Sequence, residues 1–315
     1  MAVVNNSFDS YEAVGNHVDI ADVIYNVAPT ETPFLSSMPK GKATNRVHQW
    51  QNDTLAAAAA NHAAEGTTFA AEAQVPTALL NNVCSISSKS PQVTGSQEAM
   101  KHYGRGSEMK YKTKQAMKEL KRDVEINMLA NLAKVTGDGT GTARKQAGLQ
   151  NYVVTNTSIA GDATASAGTG ADLHTDGTAR AFTEAMLETV LASAWTQGGN
   201  PTKGFLNAFQ KRKTAAFSGN STPQHDKKDK KVYNSVDIYI DPLGCEVRLI
   251  PSRQTPADVV YLVDPNHVKV SMLRDFRVLD IPRQGDYMSK LILCEGTLQV
   301  GEEKAHAGIY DLTTS

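Results

Sequence analysis

One apolar period stands out along the chain. Met109, Met117, Leu120, Val124, Met128, Leu132 and Val135 recur at spacings of three, four or their multiples, which is the spacing of one face of an α-helix. Gly104-Arg105-Gly106 breaks the chain just before it, Ser107 can cap the first turn, and Glu108 places a carboxylate at the positive end of the helix dipole. Gly137 is the next breaker, so the pattern predicts a helix over about 107–136, roughly 30 residues and about 45 Å long. A second helix is predicted over Ala179–Trp195, with Met186, Val190 and Ala194 on one face and Gly198, Gly199 and Pro201 as its stop. Lys203–Phe217 predicts a third, and Val18–Ala28 a short one halted by Pro29 and Pro33. The period then changes. Cys84 and Ile86 alternate with Ser85 and Ser87, as in a strand. From Val232 onward, VYNSVDIYI, CEVRLI after a turn at Asp241–Gly244, Val259–Val263, His267–Leu273, Met288–Val300 and Ala305–Leu312 all read as strands. Helices first and strands late predict an α+β fold.

Pro29–Gly66 follows neither period, although it carries Trp50 and the acidic residues Asp53 and Glu65. Structureless loops longer than about 12–15 residues are uncommon in compact domains. This one is therefore expected either to be disordered or to lie against something outside its own domain, and roughly 40–95 is expected to form a long two-stranded loop.

Composition narrows the function. The chain has 315 residues, 40% hydrophobic and only 6% aromatic, with a formal net charge of −1. That is enough apolar material for a core, too few aromatics for an aromatic-lined pocket, and far from the basic balance of a dedicated nucleic-acid binder. Cys84, Cys245 and Cys294 are an odd, scattered set without a CxxC, which argues against a disulfide framework or a zinc ribbon and for a reducing compartment. The N-terminal residues lack the pattern of a signal peptide, and no run of about 18 apolar residues spans a membrane.

Charge is unevenly placed. Arg105–Lys134 holds eight basic and four acidic residues, a net of +4, whereas Gln51–Ser88 holds Asp53, Glu65 and Glu72 and no Lys or Arg, a net of −3. One explanation is a solvated helix face with i,i+4 pairs such as Lys121–Glu125. The other is that the acidic loop of one subunit docks near Lys110, Lys114, Lys118 and Arg122 of another.

Catalytic signatures are missing. Gly137-Asp138-Gly139-Thr140-Gly141 is not followed by GK[ST] and is not a P-loop, and Gly104-x-Gly106 lacks the third glycine and preceding strand of a dinucleotide site. The eight histidines show no HxxxH, and Asp138 alone is too few carboxylates for a calcium turn. No GxSxG elbow appears. Glu302-Glu303 and Asp226–Asp229 read as solvated charge. The expectation is a protein that is not an enzyme and uses no cofactor or metal.

Several strings, in order, are similar to one family. PTETPFLSSMPKGKATNRVHQWQNDTL with NHAAEG, then GRGSEMKYKTKQAMKELKRDVEINMLAN, then WTQGGNP, then GCEVRLIPSR, DPNHVKV, LRDF, QGDYMSKLILCEGTLQV and EKAHAGIYDL resemble the major capsid proteins of tailed double-stranded DNA bacteriophages with the Hong Kong 97 fold. The resemblance covers most of the chain. It implies an N-terminal arm at 1–39, an extended β-hairpin loop at 40–95, and a peripheral domain at 96–179 with the long spine helix. An axial domain at 180–265 and C-terminal strands at 266–315 returning to the peripheral domain would complete it. It also implies assembly into pentamers and hexamers that close an icosahedral shell around double-stranded DNA, bound without sequence specificity, in a virion put together in the host cytoplasm.

Trp50 is then either an anchor between subunits or part of a small local core at the loop's base. The family's best-known variant links subunits covalently through a lysine of the extended loop. Gln51–Ser88 contains no lysine, so a non-covalent shell is expected. No heptad-bearing segment precedes the capsid-like region, so a separate scaffolding protein is expected unless the subunit assembles unaided, together with a portal, and a decoration protein is a further candidate partner. An encapsulin-like compartment, another virion part and a soluble enzyme are the competing classes.

Overall fold

The computed structural model describes residues 31–56, 58–68, 75–217, 224–226, 231–233 and 238–314. The short helix expected at Val18–Ala28 lies outside them. The described chain opens with a one-turn helix, α1 (Pro33–Ser37), and a short strand, β1 (Lys40–Lys42). A two-stranded antiparallel hairpin follows, β2 (Val47–Asn52) with β3 (Ala78–Val83), in the register Val47–Val83 and Trp50–Leu80. After β4 (Ser85–Lys89), β5 (Gln92–Thr94) and α2 (Gly95–Ala99) comes the long helix α3 (Glu108–Leu129). Next are β6 (Thr157–Ser158), α4 (Glu184–Thr196), β7 (Lys203–Leu206), α5 (Ala208–Thr214), and a separate pair, β8 (Gln224–Asp226) and β9 (Lys231–Tyr233). The chain finishes with β10 (Ile238–Ile240), β11 (Glu246–Pro251), β12 (Val260–Val263), the two long strands β13 (Val268–Ile281) and β14 (Tyr287–Val300), and β15 (Ala307–Ile309).

Two sheets organise these elements. One has five strands in the order β1-β13-β14-β4, with β5 also paired to β14, and α3 lies across it. The other has six, in the order β10-β11-β7-β12-β15-β6. Strand β12 is buried at every position and joins two cores, because successive side chains of a strand point to opposite faces. Tyr261 and Val263 face a cluster with Leu120, Val124 and Met128 of α3, whereas Val260 and Leu262 face Leu187, Val190 and Leu191 of α4. The six-stranded sheet is thus covered on both sides, which accounts for the uninterrupted apolar run of β12. Irregular register near Arg274 bends β13 against β14.

The expected α+β mixture is found, with differences in its elements. The long helix spans 22 residues and ends at Leu129 rather than near Gly137. Ala130 is extended, Gly148 donates its N–H to the Leu132 carbonyl (2.9 Å), and Val135 pairs with Lys145. A side chain at Gly148 would stand 1.8 Å from the Ala130 oxygen, so the glycine is what lets the return strand pass the end of the helix. Leu132 and Val135 keep the helical spacing but serve an extended segment.

The helix expected at Lys203–Phe217 divides into β7 and α5, because Lys203–Leu206 pairs with both β11 and β12. The helix expected from Ala179 begins at Glu184. Thr183 caps it (Oγ1 to Met186 N–H, 3.4 Å), while Arg180 pairs its backbone with Asp311. Pro33, expected to stop a helix, opens one, a position where its missing N–H is harmless. The hairpin proper occupies 47–83, since β1, β4 and β5 belong to the five-stranded sheet. Of the late strands, β14 lies under α3 and pairs with β13, whereas β15 pairs with β12 in the other sheet. No described helix is long and apolar enough to cross a membrane.

Candidate functional site

Three neighbouring features could meet another molecule: the hairpin, the outer face of α3 and the short helix α1. The hairpin is bolted down at its base. Trp50 is only 8% exposed, and its ring lies 5.9 Å from that of Tyr152 and 6.0 Å from His48. It therefore belongs to the subunit's own core at the loop's base, the second of the two roles weighed for it. Polar bonds that sequence patterns do not mark complete the anchorage. Buried Asn82 donates to the Ala147 and Leu298 carbonyls (3.2 and 2.8 Å) and accepts the Ala147 N–H (2.9 Å). Lys134 donates its Nζ to Asn81 Oδ1 (2.9 Å) and the Thr169 carbonyl (2.7 Å), and burial lowers its pKa. Tyr152 donates its hydroxyl to the Asn81 carbonyl (2.9 Å).

Beyond this base the loop is uncovered. Leu55 is 96% exposed, Val75 77% and Leu79 55%. Asp53 and Glu65 are exposed, Asp53 accepting only the Thr54 N–H among described residues (2.9 Å), and Glu72 lies outside the described residues. Large apolar side chains held out on an anchored hairpin signal a contact that the single chain does not make.

On α3, Lys110, Lys114 and Lys118 are exposed and form no ion pair with a described residue, while Arg122 is half-buried. The acids of the helix are engaged elsewhere. Glu108 pairs with Arg105 and Lys112 (3.8 Å), and Asp123 and Glu119 face Lys89 (3.0 and 3.9 Å). The expected Lys121–Glu125 pair does not form. Lys121 sits over the Phe276 ring (5.9 Å), and Glu125 is wholly buried.

Glu125 instead caps a different helix. Its Oε2 accepts the Leu35 N–H (3.1 Å) and its Oε1 the Ser252 hydroxyl (3.2 Å). Thr32 makes no side-chain cap, so a carboxylate from near the C-terminal end of α3 satisfies the first turn of α1. At the other end of α1, Lys203 donates to the Ser37 carbonyl (2.9 Å). Burial pushes the Glu125 pKa up, and the bonds from Leu35, Phe34 and Ser252 pull against it.

The remaining polar clusters serve the fold. Asp138 Oδ1 accepts the N–H groups of Thr140, Gly141 and Thr142, each at 2.9 Å, which holds its carboxyl well below the usual range and closes the glycine-rich turn. His174 Nε2 lies 3.2 Å from Asp311 Oδ1 and 3.8 Å from Asp176. Both Asp311 oxygens also accept backbone N–H groups, from Ala160 (2.8 Å) and Gly177 (3.0 Å), at a residue held at φ 59°. Those donors leave the carboxylate poorly placed for a cation. All three cysteines are buried, and burial pushes the Cys84 thiol up to about 11 and the Cys294 thiol to about 12, the reverse of what a nucleophile needs.

Comparison with known proteins agrees with a surface built for assembly. Residues 3–313 match the family model described as SU10 major capsid protein. A major capsid protein of Escherichia phage Phieco32 is 24% identical over 323 residues, spanning 91% of this chain and 92% of that protein. Among solved structures, the Cyanophage A-1(L) capsid asymmetric unit superposes with a TM-score of 0.68 at 13% identity, covering 98% of this chain and 99% of that one. The SrpI encapsulin of Synechococcus elongatus PCC 7942 superposes with a TM-score of 0.57 at 12% identity, covering 95% and 93%. The Hong Kong 97-type fold is common ground for these shells, and the family match extends almost from end to end: the chain belongs to the SU10 major capsid protein family, structural proteins of the phage head.

Proposed function

We propose that copies of this chain assemble as pentamers and hexamers into a closed icosahedral shell around double-stranded DNA, held together without covalent bonds between subunits. The observation that carries this reading is the hairpin: firmly anchored through Trp50, Asn82 and Lys134, yet presenting Leu55 and Val75 to solvent. A neighbouring copy is the partner this geometry fits, since contacts repeated over every subunit add up through effective concentration. The α3-backed five-stranded sheet would form the peripheral part of the subunit and the six-stranded sheet its axial part. The absence of lysine from Gln51–Ser88 supports a non-covalent shell. DNA would be enclosed without sequence readout, and a separate scaffolding protein, a portal and a decoration protein would be the other partners, with assembly in the host cytoplasm.

The test is electron microscopy of the purified protein and of a Leu55→Asp/Val75→Asp variant. Closed particles are expected from the parent, with a scaffold supplied if needed. The variant should keep its circular dichroism spectrum and lose closed particles. Particles of normal form from the variant would remove the hairpin from the assembly contact, and a ladder of linked subunits on a denaturing gel would refute the non-covalent shell.

A further inference from the structure

We propose that the lysine stripe on α3 is the seat of the chain's own acidic N-terminal arm. Lys121, Lys118 and Lys114 lie four, seven and eleven residues before Glu125, the spacing that places side chains on one face of a helix, and Lys110 continues the row. That face is already occupied at its far end. The first-turn N–H of Leu35 points at Glu125 (3.1 Å), so the chain enters α1 beside that carboxylate. The lysine row is the uncovered continuation of the surface on which α1 rests. The four acids of α3 are committed to Arg105, Lys112, Lys89 and α1, and they leave the row unneutralised by its own helix.

The preceding sequence has the complementary charge. Residues 1–39 contain Asp9, Glu12, Asp19, Asp22 and Glu31 and not one Lys or Arg. Length permits the contact. Lys118 is about 10 Å and Lys110 about 22 Å from Glu125 along the helix axis, at about 1.5 Å per residue. The ten residues from Asp22 to Thr32 can extend to about 33 Å. Asp19 and Asp22 therefore reach Lys114, Lys118 and Lys121, and Asp9 and Glu12 reach further. The exposed hairpin acids of a neighbouring copy, Asp53 and Glu65, are the rival occupants. The arm has the advantage of being tethered at the edge of the stripe.

This assignment stands whether or not the shell reading is right, because it concerns one chain. Zero-length carbodiimide coupling of the full-length protein joins carboxylates to amines that touch, and Lys89–Asp123 (3.0 Å) provides an internal control. The expected products are amide links from Asp19 or Asp22 to Lys114, Lys118 or Lys121, recovered in the single-subunit band of a denaturing gel. The control link without them, the same links confined to the dimer band, or links from the stripe to Asp53 or Glu65 would each overturn the proposal. As a second measurement, Lys114→Glu/Lys118→Glu should speed proteolysis within residues 1–30 by about tenfold, as expected when a few exposed pairs are reversed. Adding Asp19→Lys/Asp22→Lys should restore the parent rate. An unchanged rate, or no restoration, would also overturn it.

Discussion

Glu125 is where charge, packing and the seating of α1 meet, and replacing it separates them. In Glu125→Ala, the Leu35 N–H and the Ser252 hydroxyl lose their acceptor in a site with no exposure. Each unsatisfied buried donor costs about 1–3 kcal/mol, and the space left by the side chain adds to this, so the loss should be about 3–5 kcal/mol. That is a large part of the roughly 5–15 kcal/mol that holds a domain folded. Glu125→Gln should behave differently. Its remaining oxygen can accept the Leu35 N–H, and its amide can donate to Ser252, whose hydroxyl can reverse its role. The stability change should then stay within about 1 kcal/mol.

The pH dependence has a definite sign. Burial raises the folded pKa above the unfolded value of about 4.3, so the folded state holds the proton more tightly. The resulting stabilisation is complete below the unfolded pKa and is lost as pH rises through the folded one. Urea unfolding of unassembled subunits from about pH 4 to pH 8, followed by tryptophan fluorescence, should show this component in the parent and not in Glu125→Gln. A Glu125→Ala loss below about 1 kcal/mol would refute the capping argument, and an equal pH dependence in Glu125→Gln would refute the titration argument.

Three further outcomes are expected. Trp50→Ala should destabilise the subunit by about 3–5 kcal/mol, as truncation of a buried aromatic does, measured by denaturant unfolding followed by far-ultraviolet circular dichroism. Gly148→Ala places a carbon 1.8 Å from the Ala130 oxygen, which forces the end of α3 away from the return strand, and a lowered melting temperature should report it. Asp138→Ala removes the acceptor of three N–H groups on an exposed turn, so amide exchange of Thr140–Thr142 should quicken while global stability stays nearly constant.

Much of the architecture was legible in the chain. Met109 to Met128 sets a helical face, Ser107 does cap it by accepting the Lys110 N–H (3.2 Å), and the late alternating runs do form strands. The errors have one physical origin. Leu132, Val135 and Lys203–Leu206 have side chains compatible with a helix, but the backbones of the first two bond to Gly148 and Lys145 beyond the helix end and that of Lys203–Leu206 to distant strands, and local periodicity contains no record of such partners. The candidate site was legible only in its charge. The lysines of α3 and the acids of the hairpin were visible, whereas Asn82, Lys134 and Glu125 were not, because a buried polar residue is recognised by its partners and these lie between 35 and 216 positions away. Glu125 shows the difficulty well. In sequence it completes an i,i+4 pair with Lys121, but in space the approach of Leu35 and Ser252 turns it inward.

The net charge of −1 conceals a division that bears on how copies meet. Residues 1–88 hold eight acids against Lys40, Lys42 and Arg46, a net of −5, which leaves +4 for residues 89–315. The acidic part contains the hairpin, and the basic part contains α3. A nearly neutral subunit does not repel its copies strongly, while opposite signs on its extensions and its body favour contacts of extension with body over like with like. Such contacts are individually weak and fall off over about 8 Å at physiological salt, so they bias register without fixing it irreversibly. Permanent hold must then come from apolar contacts such as those available to Leu55 and Val75. Raised salt should accordingly slow the formation of shells more than it loosens finished ones, and the reverse order would place the binding energy in the charges.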